Sequence, residues 1–300
     1  MKRNLPIILL VILLGMLSMS LGLYLSLRPK GHGRPQMRIH FLNVGQGDCV
    51  LIQTSDHRNV LVDTGGEETA KYVVDYIQAS GIHVLDALII TDVNADHIGG
   101  LTSVLSGLGV SQVIIPDNTQ PSPEYDQMVS DIVSRKLEHK IASESVMHSI
   151  SDEVAFDLIW PPAIVKNRKG NDKSNASLIL RAGFHDFIVL LIGNLKPESE
   201  GRLLASRQDL QSTLVKISIQ NSRESISNEL LQVIQPEYAI IPSENDYLGT
   251  ENSKAKKTDN SIYNRLRAIG AQIYRTDDQG TVVVSTDGWV DVGVTAERGR

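Results

Sequence analysis

Ala87-Leu88-Ile89-Ile90-Thr91-Asp92-Val93-Asn94-Ala95-Asp96-His97-Ile98-Gly99-Gly100-Leu101 sets a short apolar run directly ahead of a polar loop and the start of a helical pattern. The run is rich in β-branched residues, as a strand covered on both faces would be. The loop then gathers Asp92, Asn94, Asp96 and His97 within a few residues. In α/β folds the loops at the carboxyl ends of strands carry ligands, so this segment is the first place to look for chemistry. Asp96 and His97 are the candidate metal-binding or catalytic pair. The same dipeptide is also what a capped helix start and its neighbour look like, and the pair alone does not separate the two readings.

Length and composition narrow the choices. A chain of 300 residues with 41% hydrophobic residues is long enough for one large α/β domain with a substantial core. Its single cysteine, Cys49, excludes an intramolecular disulfide and a Cys-rich metal site, and its strand-like neighbours read it as a small buried hydrophobe. No charged residue occurs from Leu5 to Leu27, and Lys2 and Arg3 precede that run. As a helix it would rise about 34 Å, enough to cross a bilayer and longer than the apolar region of a signal peptide. Residues 1–4 are therefore expected to form a short cytoplasmic head, 5–27 a transmembrane signal-anchor, and 28–37 a linker. The rest of the chain is placed on the extracytoplasmic face of the cell membrane in a single-pass arrangement. The head and linker hold five of the 29 basic residues and none of the 35 acidic ones, which leaves the remainder at about −11. Such a domain has no general pull on nucleic acid, and Lys254, Lys256 and Lys257 form the one basic cluster that could act locally.

In chain order, Arg38–Val44, Cys49–Gln53 and Asn59–Asp63 read as a meander, and Thr69–Ser80 as a helix. Beyond the central loop come a helix at 101–108, a strand at 112–116 and a helix expected to span Tyr125–His139. Ser143–Glu153 yields no assignment. A strand at 155–160 ends at Pro161-Pro162, and Lys166–Asn175 is a charged loop. Strands at 177–182, 187–193, 214–218 and 238–242 follow, with helices at about 198–206 and 228–235. A helix at 261–269 and strands at 272–275, 281–285 and 289–294 close the chain. Two β-rich halves, each with its own helices, point to an α/β (α+β) fold of two packed sheets with helices outside.

Particular motifs sharpen this reading. Phe41-Leu42-Asn43-Val44-Gly45-Gln46-Gly47-Asp48 resembles the opening of the extracytoplasmic metallo-β-lactamase domain of the ComEC-like family of DNA-uptake competence proteins. Leu61-Val62-Asp63-Thr64-Gly65 is similar to its next strand and turn, and 274–281 to its closing hairpin. The matches run in the family's order over residues 38–287, and the domain is drawn at 38–295. The resemblance implies a four-layer αββα metallo-β-lactamase sandwich, preceded here by the one N-terminal transmembrane helix. It also implies a centre of two zinc or manganese ions.

This sequence departs from the family at most ligand positions. Where the family loop reads Thr-His-x-(His or Asp)-x-Asp-His, Asp92 and Asn94 replace the first two ligands, and Asp96 and His97 remain. Asn194 replaces the bridging aspartate, Ile219 a histidine in an element where Gln220 and Asn221 also differ, and Gly249 the last histidine. An amide cannot supply a bridging negative charge, and zinc prefers nitrogen and sulfur. No cofactor is therefore expected. Asp63, Asp92, Asn94, Asp96, His97, Asn194, Gln220 and Asn221 are the expected pocket, an oxygen-rich set that could at most hold one hard cation weakly. Asp48 is read as closing its turn, and Asp63 as orienting the loop behind the metals. The other histidines, at 32, 40, 57, 83, 139, 148 and 185, are read as surface or core residues. The functional expectation is a non-catalytic binding or accessory protein linked to DNA uptake. An active phosphodiesterase or nuclease with a rebuilt site, and a surface domain recruiting a protein, are the alternatives. Beyond the membrane, a nucleic acid or other phosphodiester ligand and a protein are the candidate partners.

Overall fold

Alternation along the strands decides which face each residue meets, and it sorts the apolar side chains into three layers. The computed structural model describes residues 36–116, 122–160, 177–195, 197–218, 226–242, 262–289 and 291–297. Its first half contains β1 (Met37–Phe41), β2 (Val50–Gln53), β3 (Asn59–Val62), α1 (Ala70–Ala79), β4 (Val84–Leu85) and β5 (Ala87–Ile89). Next come α2 (Ala95–Ile98), α3 (Leu101–Gly107), β6 (Gly109–Val110), β7 (Val113–Ile115), α4 (Pro123–Ser134), β8 (His139–Ile141), α5 (Glu144–Met147) and β9 (Ala155–Trp160). The second half adds β10 (Ile179–Phe184), β11 (Phe187–Ile192), α6 (Pro197–Ala205), β12 (Leu214–Ile217), α7 (Asn228–Ile234) and β13 (Tyr238–Ile241). It ends with α8 (Ile262–Ala268), β14 (Gln272–Arg275), α9 (Thr276–Gln279), β15 (Val282–Thr286) and β16 (Val292–Ala296).

One sheet has the strand order β16-β15-β1-β2-β3-β5-β7-β8 and the other β14-β13-β12-β11-β10-β9. Ile39, Phe41, Ile52, Val60, Val62 and Ile89 point inward from the first sheet and meet Leu180, Val189, Leu191 and Leu214 of the second. The residues between them, Leu51, Leu61 and Leu88, face the other way, onto Val73, Ile77, Val104 and Ile132 of the helices outside. The second sheet repeats the scheme: Leu190, Ile192 and Val215 face outward onto Leu203, Leu230, Ile234 and Leu266. Period-two strands between amphipathic helices therefore give four layers, αββα.

Several expectations are corrected. The helix after the 113–115 strand stops at Ser134 rather than reaching His139. Lys136 takes a left-handed backbone with φ 56°, and His139–Ile141 then pairs with β7 as a strand. Residues 274–281 are not a hairpin. The α9 turn inside them carries the chain from β14 of one sheet to β15 of the other, and the closing hairpin is β15–β16. The unassigned 143–153 stretch contains α5, and β4 with β6 forms a small parallel pair that periodicity did not reveal. The expected span at 5–27, the charged loop at 166–175 and Lys254, Lys256 and Lys257 lie outside the described residues. Among the described residues no helix is long and apolar enough to cross a membrane.

Leu88 sits in a central strand at 0% exposure. Leu88→Ala removes buried methylenes and leaves a cavity, so urea unfolding should show a loss of about 2–5 kcal/mol; a loss under about 1 kcal/mol would mean that this layer is loosely packed.

Candidate functional site

Loops from both sheets meet at one end of the sandwich. Asp63 follows β3 with a left-handed backbone, φ 59°, and its N–H donates to the Ile89 carbonyl at 2.8 Å. That twist turns its carboxylate inward. Oδ1 accepts the Thr91 N–H at 2.7 Å, while Oδ2 accepts the Thr91 hydroxyl at 2.5 Å and pairs with His97 Nδ1 at 2.9 Å. The Thr64 N–H and hydroxyl both donate to the His97 carbonyl, at 2.7 and 2.9 Å. The Thr91 carbonyl takes the Leu178 N–H at 2.8 Å, which ties the loop to the lead-in of β10. Asp63 and Thr64 thus hold the four-residue helix α2 in addition to its own ladder.

Two glycines are required by close approach. Gly47 has φ 138°, and a Cβ there would strike the Asp96 carbonyl; at Gly100 it would strike the Thr64 carbonyl. The first contact lets the Asp48 N–H donate to the Asp96 carbonyl at 3.3 Å and turns the Asp48 side chain into the interior.

Asp48 meets a lysine there. Lys216 lies in β12 on the same strand face as Leu214, and its side chain is 4% exposed against 3% for Asp48. The two form a close ion pair. Lys216 Nζ also donates to Ser218 Oγ at 2.6 Å, and Ser218 Oγ donates to Asp48 Oδ2 at 2.5 Å. Burial pushes the Asp48 pKa up, but the Lys216 ammonium and His97 more than offset it and hold the carboxyl below its ordinary value. Burial likewise opposes charge on His97, yet Asp63, with help from Asp48 and Asp92, raises the imidazole to about 9. Asp63 itself is pushed up by burial, only partly countered by His97.

On the far side of the ring, His97 Nε2 is buried with no hydrogen-bond partner and lies 3.9 Å from Asp96 Oδ2. Burial raises the Asp96 pKa. Asp48 Oδ1 and Ser177 Oγ are the other unbonded buried atoms of this region. Asp92 Oδ1 accepts the Asn94 N–H at 3.0 Å in a local turn, and the Asn94 side chain is exposed. Asn194 is half-buried beside Gly193, which packs near His97 Cε1. Ile219, Gln220, Asn221 and Gly249 lie outside the described residues.

Asp48, Asp63 and His97 each offer an atom within 4.8 Å of the others, the one such metal-like group among the described residues. Most of the polar atoms of these side chains are already committed. Both Asp63 oxygens accept hydrogen bonds, Asp48 Oδ2 holds an ammonium, and His97 Nδ1 is bonded to Asp63. For a cation, His97 Nε2, Asp96 and the unbonded Asp48 Oδ1 remain among the described residues. Zinc takes at least three protein ligands, so the described residues do not fit a two-zinc centre. The residues that reading the sequence alone did not single out are Lys216, Thr91 and Ser218. A lone charge in the apolar strand Leu214-Val215-Lys216-Ile217 was the available signal, because a buried lysine needs a buried partner.

The Metallo-beta-lactamase superfamily model matches residues 42–166. The chain is 25% identical to ComE operon protein 3 of Bacillus subtilis, with 81% of this chain and 32% of that protein covered. It is 26% identical to competence protein ComA of Neisseria gonorrhoeae, with 86% and 34% covered. The chain thus spans about a third of the length of these two relatives. Among solved structures, the metallo-β-lactamase fold protein YhfI from Bacillus subtilis superposes with a TM-score of 0.53 at 11% identity, over 84% of this chain and 100% of that one. The chain is a metallo-β-lactamase-fold protein. Within that fold, its sequence is similar to the competence proteins ComE operon protein 3 and ComA.

Lys216→Met leaves the Asp48 carboxylate buried without its ammonium and should cost about 3–5 kcal/mol in urea unfolding, whereas Lys216→Met with Asp48→Asn should recover much of it. Strictly additive losses would show that the two residues do not act as a pair.

Proposed function

We propose that this chain is a membrane-anchored, extracytoplasmic ComEC-like protein that binds its target rather than hydrolysing it, because it does not assemble the paired-metal centre of its fold. One observation carries the reading: both oxygens of Asp63 and Oδ2 of Asp48 are occupied by the protein's own donors. Asp63 is held by Thr91 and His97, and Asp48 by Lys216 and Ser218. The substitutions at Asp92, Asn94, Asn194, Ile219 and Gly249 support it from the sequence. Without a metal there is no hydroxide of low pKa and no Lewis acid for a phosphodiester, each worth several kcal/mol.

The anchor is the apolar run at 5–27, which places the domain outside the cell. A nucleic acid or other phosphodiester ligand is the first class to test, given the similarity to competence proteins. The acidic balance of the domain requires that binding to be local rather than a general electrostatic attraction. A second reading, a phosphodiesterase built on a single hard cation, draws on the unbonded His97 Nε2 beside Asp96.

The two part at the metal. Full-length protein in detergent, loaded with excess Zn²⁺ or Mn²⁺, desalted and assayed by elemental mass spectrometry, should keep well under one ion per chain. It should cleave neither bis-nitrophenyl phosphate nor single-stranded DNA above the level of Asp96→Ala with His97→Ala. Near-stoichiometric metal, with activity lost in that double variant, would establish the single-cation enzyme instead.

A further inference from the structure

Trp289 is the one aromatic among the exposed large hydrophobic side chains of the described residues, at 48%. It sits in the turn of the β15–β16 hairpin. Its ring stacks on His185 at 4.4 Å and 15°, and His185 in turn lies 4.5 Å from Phe184. The platform is built, since the N–H groups of Asp186 and Phe187 both donate to the Gly288 carbonyl, at 2.8 and 3.2 Å. The hairpin tips of the two sheets are thereby locked together. Asp287 Oδ1 accepts the Trp289 and Asp291 N–H groups at 2.9 and 3.1 Å, which fixes the turn itself.

The place of this platform in the fold gives it meaning. Thr286 pairs with Met37, so the tip lies at the end of the sandwich where the chain enters β1. The candidate site lies at the opposite end, beyond Phe41 and Val62. Residues 28–36, nine in number, separate the apolar run from Met37 and span at most about 32 Å when extended. We infer that the Trp289–His185 platform rests in the interfacial layer of the bilayer that anchors the chain, so that the pocket faces away from the membrane; this rests on the anchor proposed above.

Tryptophan is favoured at the membrane–water boundary because its ring is mostly apolar and its N–H finds a partner there. A contact too weak to hold a free domain becomes populated when a short tether keeps it at an effective concentration on the order of millimolar. The platform loses little freedom on docking, since its stacking is already in place. Asp186 and Asp291, both exposed, stand next to His185 and two residues after Trp289 in the chain, so the contact is with the interfacial layer itself and not with anionic head groups. It should therefore be insensitive to salt.

Full-length protein reconstituted into phosphatidylcholine vesicles provides the test, with flotation and tryptophan emission read on the same samples. Wild type should float. With brominated phosphatidylcholine it should lose a fraction of its emission that Trp289→Phe does not lose, equally at low and high salt. Iodide should quench wild type less in vesicles than in detergent solution, a comparison that needs no variant. Flotation with equal bromine quenching of the two proteins, and unchanged iodide access, would overturn the inference while leaving the anchor intact. Failure to float would remove the anchor and the inference together. Iodide protection that grows with protein concentration in detergent would assign the platform to a second copy of the chain and equally overturn it.

Discussion

The carboxylate of Asp63 is the constraint from which the rest of the site follows. A charged group with almost no access to water must find its stabilisation in fixed donors, and here both oxygens are occupied by Thr91 and His97. Hydrogen bonds to charged groups contribute about 1.5–3 kcal/mol each, and leaving one unmade in the interior costs a comparable amount. The cluster also joins elements that would otherwise be independent: β3 supplies the aspartate, the loop after β5 the threonine, and α2 the histidine. Through the Thr91 carbonyl it reaches Leu178 and the second sheet.

Beside it stands a second self-sufficient group, Asp48 with Lys216 and Ser218, which draws together the loop before β2 and the end of β12. Two buried carboxylates, Asp48 and Asp63, are thus paired with Lys216 and His97. In this arrangement His97 is oriented, through Nδ1, by protein alone. What a metal would need is a further set of ligands on the Nε2 side, where, among the described residues, the Asp96 carboxylate comes within 3.9 Å.

Much of the architecture was legible because it rests on periodicity. Leu51, Leu61 and Leu88 alternate with Ile52, Val62 and Ile89 so regularly that two faces, and hence outer helices, follow. What was not legible depends on particular side-chain and backbone contacts rather than on a period. Three residues, His139–Ile141, are too few to show a period, and only the left-handed Lys136 separates them from the preceding helix. The α9 turn is held by Gln279, whose side-chain oxygen accepts the Arg275 N–H at 2.9 Å, and by the Arg275–Asp277 pair, neither of which a local pattern signals. In the site, Asp63 and His97 were singled out as pocket residues, but their direct pairing was not, because the 33 residues between them include α1, β4 and β5. Lys216 was visible as an anomaly in an apolar strand, although its partner, Asp48, lies 168 positions earlier in the chain.

The central claim is that the buried groups of this site are committed to each other rather than to a metal. NMR of the histidine ring nitrogens in nitrogen-labelled full-length protein, with His97 assigned by comparison with His97→Gln, addresses it directly. The account predicts that Nδ1 carries a proton held in a hydrogen bond to Asp63, and that the His97 resonances stay in place when zinc is added. A zinc-dependent shift of His97 Nε2 that disappears in Asp96→Ala would contradict it.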